Sequence, residues 1–278
     1  MKLKLRTYSK LNLCLQITGI RPDGLHTLDS LVQTIDLSDM LALEATVSGI
    51  ELLSDCTIDG ENIVSAAAQR TLNALQQEAG VRIELEKRIP IGAGLGGGSS
   101  NAAATVWGVN ELYGSMLSES QMQAVALSLG ADVPLFLTGG CQRMQGVGEC
   151  LEPTEPQEVW YTVLVPPIRC ETASIYTAYD ALGGYAQTLR QGLRLGDNDL
   201  KPAALAVAPA LAEYDHSIAT LGGAFAGMTG SGSAFFAAFQ EQRDAEEATR
   251  ALEKKHQGAR VYTCSATTRG FEVLERTP

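Results

Sequence analysis

The sequence predicts an α+β protein of two domains, on three observations. Segments with strand periodicity and segments with helical periodicity occur in both halves, and no internal repeat links the halves. A length of 278 residues suits one large or two medium domains. Near residue 152 the stretch EPTEPQE turns acidic and carries two prolines, which sets a boundary between a domain of residues 1–152 and one of residues 153–278.

Taken in order, residues 3–17 alternate as a strand, with Leu11, Leu13, Leu15 and Ile17 expected on one face. The segment GIRPDGLH follows, and Pro22-Asp23-Gly24 marks a turn. Residues 28–35 and 40–54 read as further strands. Residues 62–80 have a helical pattern, with Ile63, Ala67, Leu72 and Leu75 on one face, and VRIELEKRI returns to strand alternation. A helix is expected over about 100–113, stopped by Gly114, with Ser99, Ser100 and Asn101 where N-cap side chains belong. Ser118-Glu119-Ser120-Gln121 fits a capping box that opens a helix running to Gly130. The second half offers a strand at 161–167, helices near 172–182, 201–220 and 241–257, a second glycine cluster at 227–239 and a closing strand pair.

Composition narrows the function. The formal net charge is −11, from 32 acidic and 21 basic residues, and no basic run is present to neutralise nucleic-acid phosphates, so no nucleic-acid partner is expected. No stretch approaches the ~18 apolar residues of a membrane span, and the alternating N-terminus lacks the apolar centre of a signal peptide. Six scattered cysteines without a C-x-x-C and three distant histidines suggest reduced thiols in a cytoplasmic protein, with no zinc site or disulfide framework.

The chemistry concentrates in PIGAGLGGGSSNAAAT, residues 90–105, where five of the seven residues from Gly92 to Gly98 are glycine. Glycine permits positive φ and lets backbone approach a ligand closely. Successive N–H groups in such a loop form an anion-binding concavity, and the helix behind it adds free N–H groups and the positive end of its dipole. A phosphate chain is the natural ligand. A Walker A loop is excluded, because Gly98 stands where its lysine would be. Gly92, Gly94 and Gly97 match G-x-G-x-x-G literally, but no acidic strand end for a ribose follows. A solvated surface loop would not lead into the half-buried pattern NAAATVWGVNEL.

The long form GLGGGSS resembles the nucleotide loop of the galactokinase, homoserine kinase, mevalonate kinase and phosphomevalonate kinase superfamily, and most closely its 4-diphosphocytidyl-2-C-methyl-D-erythritol kinase branch. Five other segments carry the same resemblance in family order. They are Ser9-Lys10-Leu11-Asn12-Leu13, Arg21-Pro22-Asp23-Gly24 with His26, Gly130-Ala131-Asp132-Val133-Pro134, Asn198-Asp199-Leu200 with Pro202, and Met228-Thr229-Gly230-Ser231-Gly232. Together they span residues 9 to 236. The resemblance implies an N-terminal ribosomal-S5-like α/β sandwich and a C-terminal α+β domain of ferredoxin-like type. It implies ATP-dependent phosphorylation of the 2-hydroxyl of a cytidyl-diphosphate sugar alcohol in the methylerythritol phosphate route, with Mg²⁺.

By that resemblance, Asp132 is the catalytic base and Lys10 the lysine opposite it. Pro90, Ile91, Gly92, Ala93, Gly94, Leu95, Gly96, Gly97, Gly98, Ser99 and Ser100 cradle the nucleotide, and Asn62 lies near the adenine. Asn12, His26, Thr172, Tyr176 and Gly230 face the substrate, Tyr176 either stacking on the cytosine or packing in the core. Lys10 and Asn12, two apart on a strand, share a face, which suits a site. No metal-ligating residue is singled out. Two positions at the substrate end depart from the family: Leu25 stands where tyrosine is usual, and an aromatic expected near Val32 is missing, which would weaken stacking on the cytosine; a third, Lys201 in place of the acid after Asn198-Asp199-Leu200, is expected outside the chemistry. A sibling alcohol kinase and an inactive nucleotide-binding relative stay open as alternatives, and the oligomeric state is left between monomer and homodimer.

Overall fold

The computed structural model describes residues 1–56, 62–156, 158–184, 192 and 194–278. Gln157, inside the acidic stretch, lies outside them. Two sheets organise the described residues. The first is seven-stranded and built on β1 (Lys2–Ile20) and β2 (His26–Thr46), a long antiparallel pair. Beside β2 lie β4 (Gly80–Glu86), with β3 (Gly49–Ser54) parallel to it, and β5 (Cys141–Gly146), with β6 (Cys150–Pro153) beyond. The second sheet has the order β10-β7-β9-β8, from Arg260–Ser265, Trp160–Val165, Phe235–Phe239 and Phe225–Met228.

The four apolar residues expected on one face of β1 divide between two cores. Leu11 and Leu13 pack with Ile35 and Tyr161, whereas Leu15 and Ile17 pack with Val32 and Phe136. The cause is a register shift between Asn12 and Cys14, where one extra residue on β1 disrupts the ladder. This strand is therefore buried on both sides, and Lys10 and Asn12 are as buried as their apolar neighbours.

Helix starts follow their caps. Asn62 accepts from the Val64 N–H at 2.9 Å and opens α1 (Ile63–Ala74). This helix stops short of the expected residue 80, at a turn in which Gln76 takes φ 55°, before β4 begins. The capping box at Ser118 is formed and opens α3 (Glu119–Leu129). The helix after the glycine loop, α2 (Gly97–Leu112), starts earlier than expected. Its N-cap is Gly96, at φ 71°, so Ser99, Ser100 and Asn101 lie inside its first turns rather than capping it. The expected helix over 201–220 is two, α6 (Lys201–Val207) and α7 (Leu211–Ala219), separated at Pro209, which lacks the N–H that a continuous helix needs.

The closing strands do not pair with each other. The strand β10 edges the second sheet against β7, while β11 (Phe271–Thr277) returns to the first sheet and lies antiparallel to β1 from Lys2↔Thr277 to Thr7↔Phe271. Residues 153–278 thus supply a strand to the sheet of residues 1–152. The chain approaching β11 passes tightly over α4 (Val133–Thr138), the short helix that follows Asp132. A Cβ on Gly270 would lie 2.0 Å from the Phe136 carbonyl oxygen, and one on Gly139 would lie 1.9 Å from the Gly270 nitrogen. This contact seats α4, and Asp132 with it, against the first sheet. Gly270→Ala is expected to lower stability by about 1–3 kcal/mol, the usual cost of overpacking. Urea unfolding measures it, and an unchanged midpoint would show that the crossing is loose.

Candidate active site

A cavity of about 1270 Å³ lies between the first sheet, the glycine loop and residues 172–180 and 230–231. That exceeds the ~300–1,000 Å³ of a pocket for one small ligand, so two substrates fit side by side. Residues 90–99 all line it, with Asn62 at the start of α1 beside them. The loop takes positive φ at alternate glycines, Gly92, Gly94 and Gly96. Two of these have no room for a side chain. A Cβ on Gly94 would lie 2.4 Å from the Thr229 carbonyl oxygen, and one on Gly96 would lie 2.8 Å from Phe136 and 2.9 Å from the Lys10 stem. The first intrahelical bond of α2 runs from Ser100 N–H to the Gly96 carbonyl at 2.9 Å, so the N–H groups of Gly97, Gly98 and Ser99 precede it. They form the anion-attracting end of a sixteen-residue helix.

Ser100 is a correction. It is fully buried, is not part of the cavity wall, and its hydroxyl is directed 3.5 Å from the Gly270 carbonyl. It stands three positions beyond Gly97 on α2, with its side chain towards the β11 approach. Ser99 alone of the pair offers a hydroxyl to the cavity.

The second glycine segment, residues 229–232, packs directly on the first loop. Thr229 Oγ1 accepts from the Asn12 N–H at 2.9 Å and donates to the Gly94 carbonyl at 3.3 Å, and the Ala234 N–H donates to the Ala93 carbonyl at 3.2 Å. Asn198 fixes this segment from behind, donating to the Met228 and Gly230 carbonyls at 2.7 and 2.8 Å. Gly230 brings its backbone to the cavity next to the Lys10 ammonium.

Lys10 sits at the foot of both segments. Its side chain is 4% exposed, its Nζ donates to Asn12 Oδ1 at 2.5 Å and lies 3.6 Å from Asp132 Oδ2. Asn12 is oriented in turn by its Nδ2 donating to Ser30 Oγ at 2.8 Å. Burial pushes the Lys10 pKa below the ordinary lysine value, and the Asp132 carboxylate opposes that shift. The Asp132 side chain makes no cap bond to α4, which leaves its carboxylate directed at Lys10 and the cavity. It is 34% exposed there, open to a ligand.

At the other end of the cavity His26 meets α5 (Thr172–Ala181). Its Nε2 lies 2.8 Å from Asp180 Oδ1, and its ring centroid is 4.8 Å from that of Tyr176 and 5.9 Å from that of Tyr179. The Tyr176 ring packs partly on the core and partly on His26 at the cavity wall. Burial and the nearby negative charge of Asp132 push its hydroxyl up to about 12, so it stays neutral. Thr172 shares a hydrogen bond with Ser231 at 3.0 Å, which ties α5 to the second glycine segment. Of the two departures at the substrate end, only Leu25 bears on the cavity, where it is exposed. Val32 is wholly buried in the core and is not part of the cavity wall.

Sequence reasoning missed Lys87, Asp180 and Ser231, which also line the cavity. Ser231 lay within a quoted motif. Lys87 in the run EKR and Asp180 near a helix end look like solvated charges, and only the folded chain turns them inward.

Residues 62–140 match the GHMP kinases N terminal domain and residues 179–258 match the GHMP kinases C terminal domain. A 4-diphosphocytidyl-2-C-methyl-D-erythritol kinase of Nitrosomonas europaea is 36% identical over 246 residues, 86% of this chain and 88% of that protein. One of Vibrio cholerae serotype O1 is 37% identical over 244 residues, 86% and 83% of the respective chains. A crystal structure of 4-(cytidine 5'-diphospho)-2C-methyl-D-erythritol kinase superposes with a TM-score of 0.78 at 33% identity, covering 96% of this chain and all of that one. With GHMP kinase domains in both halves and relatives of one kind along nearly its whole length, the chain belongs to the 4-diphosphocytidyl-2-C-methyl-D-erythritol kinase family.

Proposed function

We propose that the protein transfers the γ-phosphoryl group of ATP to the 2-hydroxyl of 4-(cytidine 5'-diphospho)-2-C-methyl-D-erythritol, in non-mevalonate isoprenoid precursor biosynthesis. The observation that carries this reading is the Lys10–Asp132 pair, 3.6 Å apart, at the junction of a glycine-rich helix start and an aromatic pocket within one cavity. ATP enters with its phosphates over residues 92–99 and its base towards Asn62. The sugar alcohol lies across Gly230 and Asp132, and its cytosine meets His26, Tyr176 and Asn12. ATP as co-substrate points to the cytoplasm.

Phosphoryl transfer proceeds through a loose transition state, so positioning and charge stabilisation carry most of the rate. Asp132 orients the attacking hydroxyl and takes its proton as the new O–P bond forms. Lys10 places positive charge beside Asp132 and the transferred group. The backbone N–H groups of the loop and of the α2 start hold the departing diphosphate. Among the described residues no group of three or more His, Cys, Asp or Glu side chains forms a metal cage. Mg²⁺ is normally held by substrate phosphates and water with one or two protein oxygens. The Ser99 hydroxyl on the cavity wall is the protein oxygen that would contribute. Mg²⁺ would neutralise phosphate charge.

Replacing Asp132 by Asn is expected to lower kcat by about 10²-fold or more, while ATP still binds in calorimetry. Normal turnover would remove Asp132 as base. The pH profile tests Lys10. Its useful form is protonated and burial lowers its pKa, so kcat/KM falls as pH rises through a value below the ordinary lysine range. Asp132 holds that value up, so in Asp132→Asn the alkaline limb moves to lower pH, and Lys10→Arg removes it. An alkaline limb unaltered in both variants would assign it elsewhere. Substrate identity is read by ADP release across the cytidyl substrate, homoserine, mevalonate and phosphomevalonate. Turnover with the first is expected; its absence, with turnover of another, would make the protein a sibling alcohol kinase.

A further inference from the structure

Behind the cavity wall lies a carboxylate that the reaction does not touch. Asp39, on β2 opposite Thr7 of β1, is fully buried and is not itself part of the cavity lining. Its two oxygens are used separately. Oδ1 accepts the backbone N–H groups of Arg88 and Ile89, at 2.7 and 2.8 Å. Oδ2 accepts from Asn101 Nδ2 at 2.9 Å and from the Lys87 ammonium, with which it forms an ion pair. Asn101 completes the chain, its Oδ1 accepting from Thr7 Oγ1 at 2.5 Å.

Each of these partners leads to the nucleotide end of the cavity. Arg88 and Ile89 are the residues immediately before the loop at Pro90. Asn101 is in the second turn of α2. Lys87 lines the cavity, and its ammonium lies 3.1 Å from where a Cβ on Gly97, the first residue of α2, would stand. A fully buried carboxylate needs its charge and lone pairs met, and here four donors do so, three from residues 87–89 and one from α2. The side chain thereby fixes the distance between the loop entrance, the helix start and one cavity cation.

We propose that Asp39 is a positioning residue for ATP: with one oxygen it pins the backbone entering the phosphate loop, and with the other it holds Lys87 flush against the N-terminal turn of α2, so that the nucleotide half of the cavity is preorganised. The inference rests on the kinase reading. The two oxygens also separate its parts. Asp39→Asn keeps a carbonyl oxygen for Arg88 and Ile89 but places an uncharged NH₂ before Lys87 and Asn101.

The test compares wild type, Asp39→Asn, Lys87→Gln and the double variant, in the full-length protein. KM for each substrate is measured by ADP release, and ATP dissociation constants by calorimetry. For Asp39→Asn, KM and the dissociation constant for ATP are expected to rise about tenfold, with KM for the alcohol within about twofold of wild type. In the Lys87→Gln background, Asp39→Asn is expected to add little to the loss of ATP affinity, since Lys87 is then no longer held. Unchanged ATP affinity in Asp39→Asn, an equal rise in KM for both substrates, or fully independent effects of the two substitutions would each overturn the proposal. If Asp39→Asn does not fold, Lys87→Gln decides alone, and unchanged ATP affinity there overturns it. Failure of the kinase reading is distinct, since it appears as absence of wild-type turnover with the cytidyl substrate while ATP affinities still report on Asp39.

Discussion

The site depends on a contact between two stretches of bare backbone. The Thr229 carbonyl occupies the space that any side chain on Gly94 would need. Because the two glycine segments touch in this way, one from each half of the chain, the phosphate loop and the substrate-side loop form a single surface. Lys10 is sealed beneath them and faces Asp132 across the seam. A Cβ at Gly94 would separate the segments and admit water to the ammonium that burial now isolates. The glycines are thus required less for flexibility than for a fixed close approach.

Electrostatics follow from that closeness. The protein is acidic overall, at −11, yet its proposed co-substrate is a polyanion. Neither cavity lysine is left as a bare cation, since Lys10 lies beside Asp132 and Lys87 is paired with Asp39. The net attraction for phosphate therefore comes largely from oriented N–H groups of the loop and of α2, whose strength is insensitive to side-chain ionisation. The two lysines remain inside the cavity as paired charges.

Much of this was legible in the sequence because the relevant signals are local. The residues of the glycine loop, the strand bearing Lys10 and Asn12, the turn before His26 and the segment around Asp132 each announce themselves within a few positions. What escaped required knowledge of the third dimension. The bulge after Asn12 reversed the faces of β1 without any residue type to mark it. Ser100 looked equivalent to Ser99, but the helix began at Gly97 and turned it away. Nothing in the sequence marked Val32 as a core residue off the cavity wall. Lys87 and Asp39 lie forty-eight residues apart in sequence, so their pairing has no local pattern.

The return of β11 to β1 ties the assembly of this site to the order in which the chain is made. Until residues 271–277 have been synthesised, β1 carries an unpaired edge, and α4 lacks the segment that passes over Phe136 and Gly139. The first sheet can collapse early around its β1–β2 hairpin, but Asp132 gains its final seat only when the far end of the chain closes over it. A ribosome-bound nascent chain would hold every residue of the glycine loop while the seat of Asp132 is still incomplete. The cavity is in this sense finished by a strand that lines no part of it.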